Sequence, residues 1–183
     1  MVKGPALATG PVSLLIDKAR RFAEQAHRSV NHRRKYTGEA YITHPAAVAE
    51  LVAGVTRDEA TICAAWLHDV IEDTPVTIDI IGKEFGNRIE LLVTQLTDIS
   101  KPEDGNRTTR KKIDREHIRQ GCPQAKTVKL ADLIDNAGSI TTYDPQFARI
   151  YMEEKRLLLE VLKEGDQTLY RMAEAIISNY YGS

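Results

Sequence analysis

The chain has 183 residues, which is enough for one domain with a sizeable hydrophobic core. Its 25 Lys and Arg residues nearly balance its 26 Asp and Glu residues, and the formal net charge is −1. A chain this close to neutral has no global field that favours nucleic acid or an anionic membrane, so we expect neither partner.

The first residues, "MVKGPALATGPVSLL", lack the continuous apolar run of a signal peptide because Gly and Pro interrupt it. We predict a flexible tail over residues 1–12 and a single domain over residues 13–183. Beyond the tail, no apolar segment approaches the length of a membrane span. Cys63 and Cys122 lie far apart without CxxC spacing, which is typical of a reducing compartment. We therefore expect a cytoplasmic protein.

Helical periodicity dominates the chain and convincing strand patterns are absent, so we predict a compact, single-domain, all-α fold. The first helix is predicted to begin at about Ser13, a residue type that commonly caps helix N-termini. Pro45 opens the second helix, and Asp58 caps a third, which ends near Thr74. Gly165 fits a helix C-terminal cap. Further helices are predicted over residues 77–85, 87–98, 108–120, 124–142, 146–164 and 167–180.

The segment "WLHDVIEDT", residues 66–74, places a histidine and three carboxylates at the end of an apolar run. Unpaired charges on a buried helix are costly, so such groups need partners or a metal ion. In a helix, the potential ligands His68 and Asp69 lie one turn before a pair of adjacent carboxylates. That pair is Glu72 and Asp73. Adjacent His68 and Asp69 diverge by roughly 100° around a helix, so they share an ion only if other elements complete its shell.

Two residues elsewhere in the chain could complete such a shell. His44 stands at the entrance to a helix, and Asp132 lies in the apolar segment "TVKLADLIDNA". Taken singly, each has an ordinary alternative, as a loop histidine or as a partnered interior acid. Two His and two Asp suit Mn²⁺, Fe²⁺ or Zn²⁺, and carboxylate-rich coordination without sulfur favours Mn²⁺. Such an ion lowers the pKa of bound water, which Glu72 or Asp73 could orient or deprotonate.

Four motifs, in this order and spacing, resemble the HD-superfamily hydrolase domain of RelA/SpoT enzymes: "YITHP" (41–45), "AAWLHDVIEDT" (64–74), "FGNRIELLV" (85–93) and "VKLADLIDN" (128–136). In its length and in its lack of a synthetase segment, the chain is similar to the stand-alone, Mesh-type small alarmone hydrolases. The resemblance covers about residues 13–165. It implies an all-helical HD-domain fold that removes the 3′-pyrophosphate of guanosine tetra- and pentaphosphate, (p)ppGpp, with one Mn²⁺ per chain.

The resemblance also implies roles for individual residues. Four of them would be the metal ligands: His44, His68, Asp69 and Asp132. Glu72 and Asp73 would activate and orient the attacking water. Asn136, one helical turn after the last ligand, would lie beside the bound purine nucleotide.

A phosphorylated nucleotide needs local cations, and two regions supply candidates. In the family, an Arg-Lys pair in the loop before "YITHP" contacts the nucleotide, which implies Arg34 and Lys35 here, with a one-residue insertion in the loop. The alternative is an ordinary solvated basic turn, and Tyr36 could instead stack on a base. Tyr151 and Lys155 lie four apart on a predicted helix, where they could face the phosphates or form part of a surface ion-pair network.

A second basic segment, residues 107–120, holds six Arg or Lys residues against two acids. Its simplest interpretation is a solvated helical face. The functional alternative places part of it at the pyrophosphate, with Arg110, Lys111 or Lys112 as candidates.

Several positions depart from the family pattern and leave the nucleotide open. Leu133 and Gly138 stand where the family commonly has Arg, and Asp135 replaces a larger polar or aromatic residue. An HD-type phosphatase acting on another purine nucleotide, such as (p)ppApp or NADPH, is therefore an alternative. A non-catalytic nucleotide sensor is a further alternative, which the presence of both Glu72 and Asp73 disfavours. An oligomer is possible, but the sequence does not specify one.

Overall fold

Ten α-helices make up most of the described part of the chain, which covers residues 13–182 of a computed structural model. The all-α prediction is confirmed, and strand pairing within the described range is limited to one isolated bridge between Arg33 and Ala40. The tail predicted over residues 1–12 lies outside the described residues. The helices are α1 (Leu14–Ser29), α2 (Thr43–Val55), α3 (Glu59–Leu67), α4 (Val70–Asp73), α5 (Ile78–Phe85), α6 (Asn87–Leu96), α7 (Arg107–Arg119), α8 (Pro123–Tyr143), α9 (Pro145–Leu159) and α10 (Gln167–Gly182), with a short 3₁₀ turn at Pro102–Asp104.

Polar side chains at the N-termini explain where four of the helices begin. Ser13 and Asp58 each accept a hydrogen bond from the backbone N–H three residues further on, at 3.5 Å and 3.2 Å respectively. Asn106 and Asp144 cap α7 and α9 in the same way. These bonds satisfy backbone donors that have no partner inside the helix. The predicted caps Ser13 and Asp58 are confirmed.

The centre of the fold is α3, which packs against α1, α2, α6 and α8. A helix that is apolar on every side must be surrounded by other elements. Small side chains in α3 and α8 let the backbones of these two helices approach closely. Residues without exposed surface in these two helices include Cys63, Ala64, Ala65, Leu67, Val128, Leu130, Ala131 and Leu133. The C-terminal end of α3 and one face of α8 are therefore held rigidly beside each other.

Helix boundaries differ from the sequence predictions at the start of α2 and at the end of α9. The second helix begins at Thr43, two residues before Pro45, so His44 lies inside its first turn. The helix predicted over 146–164 ends at Leu159, and Gly165 is therefore not its cap. A Cβ at position 165 would lie 2.8 Å from a methyl carbon of Leu130, so this position requires glycine for close packing against α8.

The structure also bears on membranes and disulfides. Within residues 13–182, no helix combines the length and the apolar character that crossing a bilayer requires. Cys63 is a buried free thiol and Cys122 a half-buried one. Neither cysteine takes part in a disulfide.

Candidate active site

The motif segment 66–74 is not one continuous helix, which corrects the sequence prediction. α3 ends at Leu67, and α4 begins at Val70 after a break at His68 and Asp69. Nδ1 of His68 lies 2.8 Å from the carbonyl oxygen of Ala65. In a continuous helix that oxygen would instead accept a hydrogen bond from the backbone N–H of residue 69. This side-chain bond competes with the backbone ladder at the break. The neighbouring side chains consequently converge, with His68 Nε2 lying 3.1 Å from Asp69 Oδ2.

His44 and Asp132 meet this pair from two other helices. Nε2 of His44, in the first turn of α2, lies 3.2 Å from Nε2 of His68 and 3.5 Å from Oδ2 of Asp69. Oδ1 of Asp132, on α8, lies 3.3 Å from Nε2 of His44 and 4.0 Å from Nε2 of His68. Both histidines are 1% exposed. The structure therefore brings together all four residues that the sequence predicted as metal ligands.

The donor set of this cluster fits a divalent cation. The Nδ1 atom of His68 donates to a carbonyl oxygen, so its Nε2 atom presents a lone pair to Nε2 of His44. Two carboxylates add further negative charge around the same point. Although burial opposes it, hydrogen bonds that the His44 ring donates to the carboxylates of Asp132, Asp135 and Asp69 raise the pKa of His44 to about 11. The cluster therefore requires positive charge, and two imidazoles with two carboxylates suit a divalent transition metal ion.

Three residues that sequence reasoning missed hold these side chains in place. Oδ2 of Asp135 lies 2.6 Å from Nδ1 of His44. The Tyr41 hydroxyl donates to Oδ2 of Asp69 at 2.5 Å, and the Lys129 ammonium lies 3.2 Å from Oδ2 of Asp132. Lys129 and Asp135 lie three residues before and after Asp132, so helical spacing alone could have placed them on its face.

Glu72 and Asp73 point to different neighbours. Oε1 of Glu72 accepts a hydrogen bond from the backbone N–H of Asp98 at 2.8 Å. Desolvation of its carboxyl group and the negative charge of Asp98 raise the pKa of Glu72 to about 7. Oδ2 of Asp73 instead lies 3.7 Å from Nδ1 of His32. Desolvation and the charge of Asp69 raise the pKa of Asp73. Both residues keep exposed surface, although their carboxyl groups are partly desolvated.

The basic loop contacts α8 beside the cluster. Nη1 of Arg34 lies 3.2 Å from Oδ2 of Asp135 and 3.4 Å from Oδ1 of Asn136. Asn136 in turn donates to Oδ1 of Asp132 at 2.7 Å. Lys35 is mainly solvent-exposed, with its ammonium 4.8 Å from the ring centroid of Tyr36. The loop borders a cavity of about 210 Å³, which is lined by Arg34, Lys35, Tyr36, Thr37, Tyr41, Asn136, Ser139, Ile140 and Phe147.

Tyr151 and Lys155 approach the cluster from α9. The Tyr151 hydroxyl is buried and has no hydrogen-bond partner among residues 13–182. The Lys155 ammonium lies 4.8 Å from the centroid of the Tyr151 ring. Burial, opposed by the charge of Asp132, lowers the pKa of Lys155 to about 8. Lys155 lines a small cavity together with Lys129 and, from the basic segment, Lys111.

Residues 19–157 match the family model described as HD domain. This match spans most of the chain, and the chain belongs to the HD-domain family. The resemblance to Mesh-type hydrolases is also confirmed. Human MESH1, named a guanosine-3′,5′-bis(diphosphate) 3′-pyrophosphohydrolase, is 35% identical over 128 residues, which are 68% of this chain and 69% of MESH1.

A solved structure of a ppGpp hydrolase has the same fold as this chain. A metazoan SpoT orthologue, described as hydrolysing ppGpp, superimposes with a TM-score of 0.83 at 26% identity, covering 94% of this chain and 98% of its own. Longer relatives include a GTP pyrophosphokinase of Streptomyces coelicolor, which is 32% identical over 122 residues. That alignment covers 66% of this chain but only 14% of the pyrophosphokinase.

Proposed function

We propose that this protein is a metal-dependent hydrolase that removes the 3′-pyrophosphate from a (p)ppGpp-like alarmone nucleotide. The observation that carries the proposal is the convergence of two buried imidazole Nε2 atoms, 3.2 Å apart, with two carboxylates beside a basic cavity. The similarity to human MESH1 and to the metazoan SpoT orthologue supports the substrate class. A cytoplasmic location is part of the same proposal.

Four side chains would hold one metal ion: His44, His68, Asp69 and Asp132. We assign Mn²⁺ to this site because sulfur-free, carboxylate-rich coordination suits it. When bound, the ion lowers the pKa of water and stabilises negative charge on the phosphoryl oxygens.

The phosphate groups need cations and hydrogen-bond donors from the chain. Arg34 and Lys35 border the cavity from the loop, and Asn136 joins Arg34 to the metal cluster. On α9, Lys155 contributes a positive charge, and Tyr151 contributes a buried hydroxyl that has no hydrogen-bond partner among the described residues. A buried hydroxyl without a partner is costly, so a phosphate oxygen that accepts from Tyr151 would remove that cost.

The carboxylates Glu72 and Asp73 would handle the proton of the reacting water. The water oxygen forms a bond to the phosphorus attached to the ribose 3′-oxygen, and the bond from that phosphorus to the 3′-oxygen breaks. The products are pyrophosphate and a nucleotide with a free 3′-hydroxyl, which takes up one proton. With a pKa of about 7, Glu72 exists in both protonation states near neutral pH, as a general base that also returns a proton requires.

A nucleotide panel with product analysis tests the proposal. Purified protein is loaded with Mn²⁺ and incubated with ppGpp, pppGpp, ppApp and NADPH, and pyrophosphate and orthophosphate are measured separately. We expect pyrophosphate and GDP from ppGpp. Orthophosphate alone, from any nucleotide, would place the protein among HD-type phosphatases instead. Binding of ppGpp without turnover would identify a nucleotide sensor.

The adenine nucleotide and NADPH belong in the panel because of position 133. Leu133 is completely buried in the core of the fold, where the family pattern has a cation. The positive charges near the cluster come from elsewhere, including Lys129 on the same helix. A different arrangement of cations allows a different phosphorylated nucleotide to compete with (p)ppGpp.

A further inference from the structure

A second group of metal-ligand side chains lies beside the candidate active site. It consists of His27, His32 and Asp73, whose potential ligand atoms all lie within 4.8 Å of one another. The Nδ1 atoms of the two histidines are 3.3 Å apart, and Nδ1 of His32 lies 3.7 Å from Oδ2 of Asp73. Ligand atoms around a tetrahedral ion with bonds of roughly 2.1 Å are about 3.4 Å apart. The separations from His32 to His27 and from His32 to Asp73 match such a shell.

The chain turns sharply to bring the two histidines together. His27 lies in the last turn of α1, and Asn31 adopts the left-handed conformation with φ 51°. Among residues other than glycine, asparagine is one of the types that most often adopt this conformation. The chain therefore folds back, and the backbone N–H of His32 donates to the carbonyl oxygen of His27 at 3.0 Å.

His27 presents its Nδ1 atom to the cluster from the interior of the fold. The side chain is 1% exposed, and its Nε2 atom has no hydrogen-bond partner among residues 13–182. Its other nitrogen faces a nitrogen of His32, so the two rings must share either a proton or a cation.

The position of His32 is restrained by stacking, and a cavity leads to the cluster. The His32 ring stacks on Tyr41 with centroids 3.7 Å apart and planes at 13°. A cavity of about 280 Å³ adjoins both histidines and gives an ion a route of entry; it is lined by Glu24, His27, Arg28, Asn31, His32, Arg33, Ala40, Tyr41 and Ile42. The ligand side chains are thus both preorganised and accessible.

We infer that His27, His32 and Asp73 form a second binding site for a divalent transition metal ion. Two imidazole nitrogens, one carboxylate oxygen and an open fourth position form a donor set that suits Zn²⁺. An ion at this site engages the carboxylate of Asp73 and withdraws it from the reacting water. That consequence for catalysis rests on the proposed function, whereas metal binding itself does not.

Metal counting on variants tests the second site. Metal-free protein is titrated with Zn²⁺, and the zinc bound per chain is measured after removal of free metal. A parallel titration with Co²⁺ is followed by visible absorption, which reports the coordination of each ion. We expect two ions per wild-type chain, and one ion for His32→Ala. The matched control is His117→Ala, because His117 is the fifth histidine and contacts the carbonyl oxygen of Thr94 instead.

Asp69→Ala separates the two sites, because it removes a ligand of the first cluster alone. Asp69→Ala should still bind one ion, at the second site, which is the ion that His32→Ala loses. Circular dichroism verifies that each variant is folded. A wild-type chain with a single ion that is lost in Asp69→Ala but kept in His32→Ala would overturn the second site and leave the proposed function intact. Two ions in both His32→Ala and the wild type would also overturn it. A wild-type chain that binds no metal ion would contradict both proposals.

Discussion

The Asp135 carboxylate lies 2.6 Å from Nδ1 of His44, on the side of the ring opposite the Nε2 atom that faces the cluster. A carboxylate in this position fixes the orientation and tautomer of the imidazole and strengthens it as a ligand. Asp135 also forms an ion pair with Arg34, so the loop beside the basic cavity is joined to a proposed metal ligand. This link connects metal binding to nucleotide binding through one side chain.

Asp135→Asn should weaken binding of Mn²⁺ by roughly 10–100-fold, because the neutral amide no longer supports the His44 imidazole. Isothermal titration of metal-free protein with Mn²⁺ measures the change. Asp79→Asn is the matched control, since Asp79 is exposed in the first turn of α5. Equal Mn²⁺ affinity in both variants and the wild type would show that Asp135 does not position His44.

Glu72→Gln should lower kcat by about 10²–10⁴-fold, because the amide cannot accept the proton of the reacting water. Metal content should stay at the wild-type level, since Glu72 contacts the backbone of Asp98 outside the metal cluster. Pyrophosphate release and metal analysis on the same samples measure both quantities. Glu103→Gln, on the exposed 3₁₀ turn, serves as the control. Wild-type turnover in Glu72→Gln would remove Glu72 from the mechanism.

Removal of the metal should lower the stability of the fold as well as abolish activity. His44, His68 and Asp132 are buried, and without a metal ion only protons on the two imidazoles, whose Nε2 atoms lie 3.2 Å apart, offset the carboxylate charge. An ion present at 100 times its dissociation constant stabilises the native state by about 2.7 kcal/mol. Thermal unfolding with Mn²⁺ and with a chelator should therefore give a higher Tm for the metal-bound protein. Asp132→Ala should reduce this difference, and an equal difference in that variant would argue against Asp132 as a ligand.

Packing against α8 provides a prediction that does not depend on function. Gly165→Ala should destabilise the fold by about 1–3 kcal/mol, because the new methyl group would lie 2.8 Å from Leu130 Cδ1 and 3.1 Å from backbone atoms of Lys126 and Thr127. Gly54→Ala is the matched control, since that glycine lies in α2 with open space around its Cβ position. It should stabilise the helix by about 0.5–1 kcal/mol. Urea unfolding of both variants measures the two changes.

Local features of the fold followed from the sequence where the signal was itself local. Periodicity predicted the all-α class, and Ser13 and Asp58 marked helix starts because a cap needs only a side chain and its neighbouring backbone. The break between α3 and α4 was missed because His68 is bonded to a carbonyl oxygen of its own helix, which periodicity does not reveal. Gly165 was assigned to a cap because its close neighbour, Leu130, is distant in sequence.

The same distinction applies to the candidate site. His44, His68, Asp69 and Asp132 were selected by motif, and the structure brings their ligand atoms together. The contact of Tyr41 with Asp69 joins the loop to the end of α3, so no spacing in the sequence could indicate it. The cluster around His27 and His32 likewise depends on a left-handed turn at Asn31, which a single residue type does not specify.

Nucleotide binding should weaken as the pH rises through about 8, the pKa to which burial lowers Lys155. Below that pH the ammonium is protonated and attracts phosphate; above it the neutral amine does not, so KM should rise on the alkaline side. KM for ppGpp, measured from about pH 6.5 to about pH 9.5, tests this expectation. Lys155→Arg should remove the rise, because a guanidinium stays charged throughout this range. An alkaline rise in KM that is the same in Lys155→Arg and the wild type would assign the titration to another group and take Lys155 out of phosphate binding.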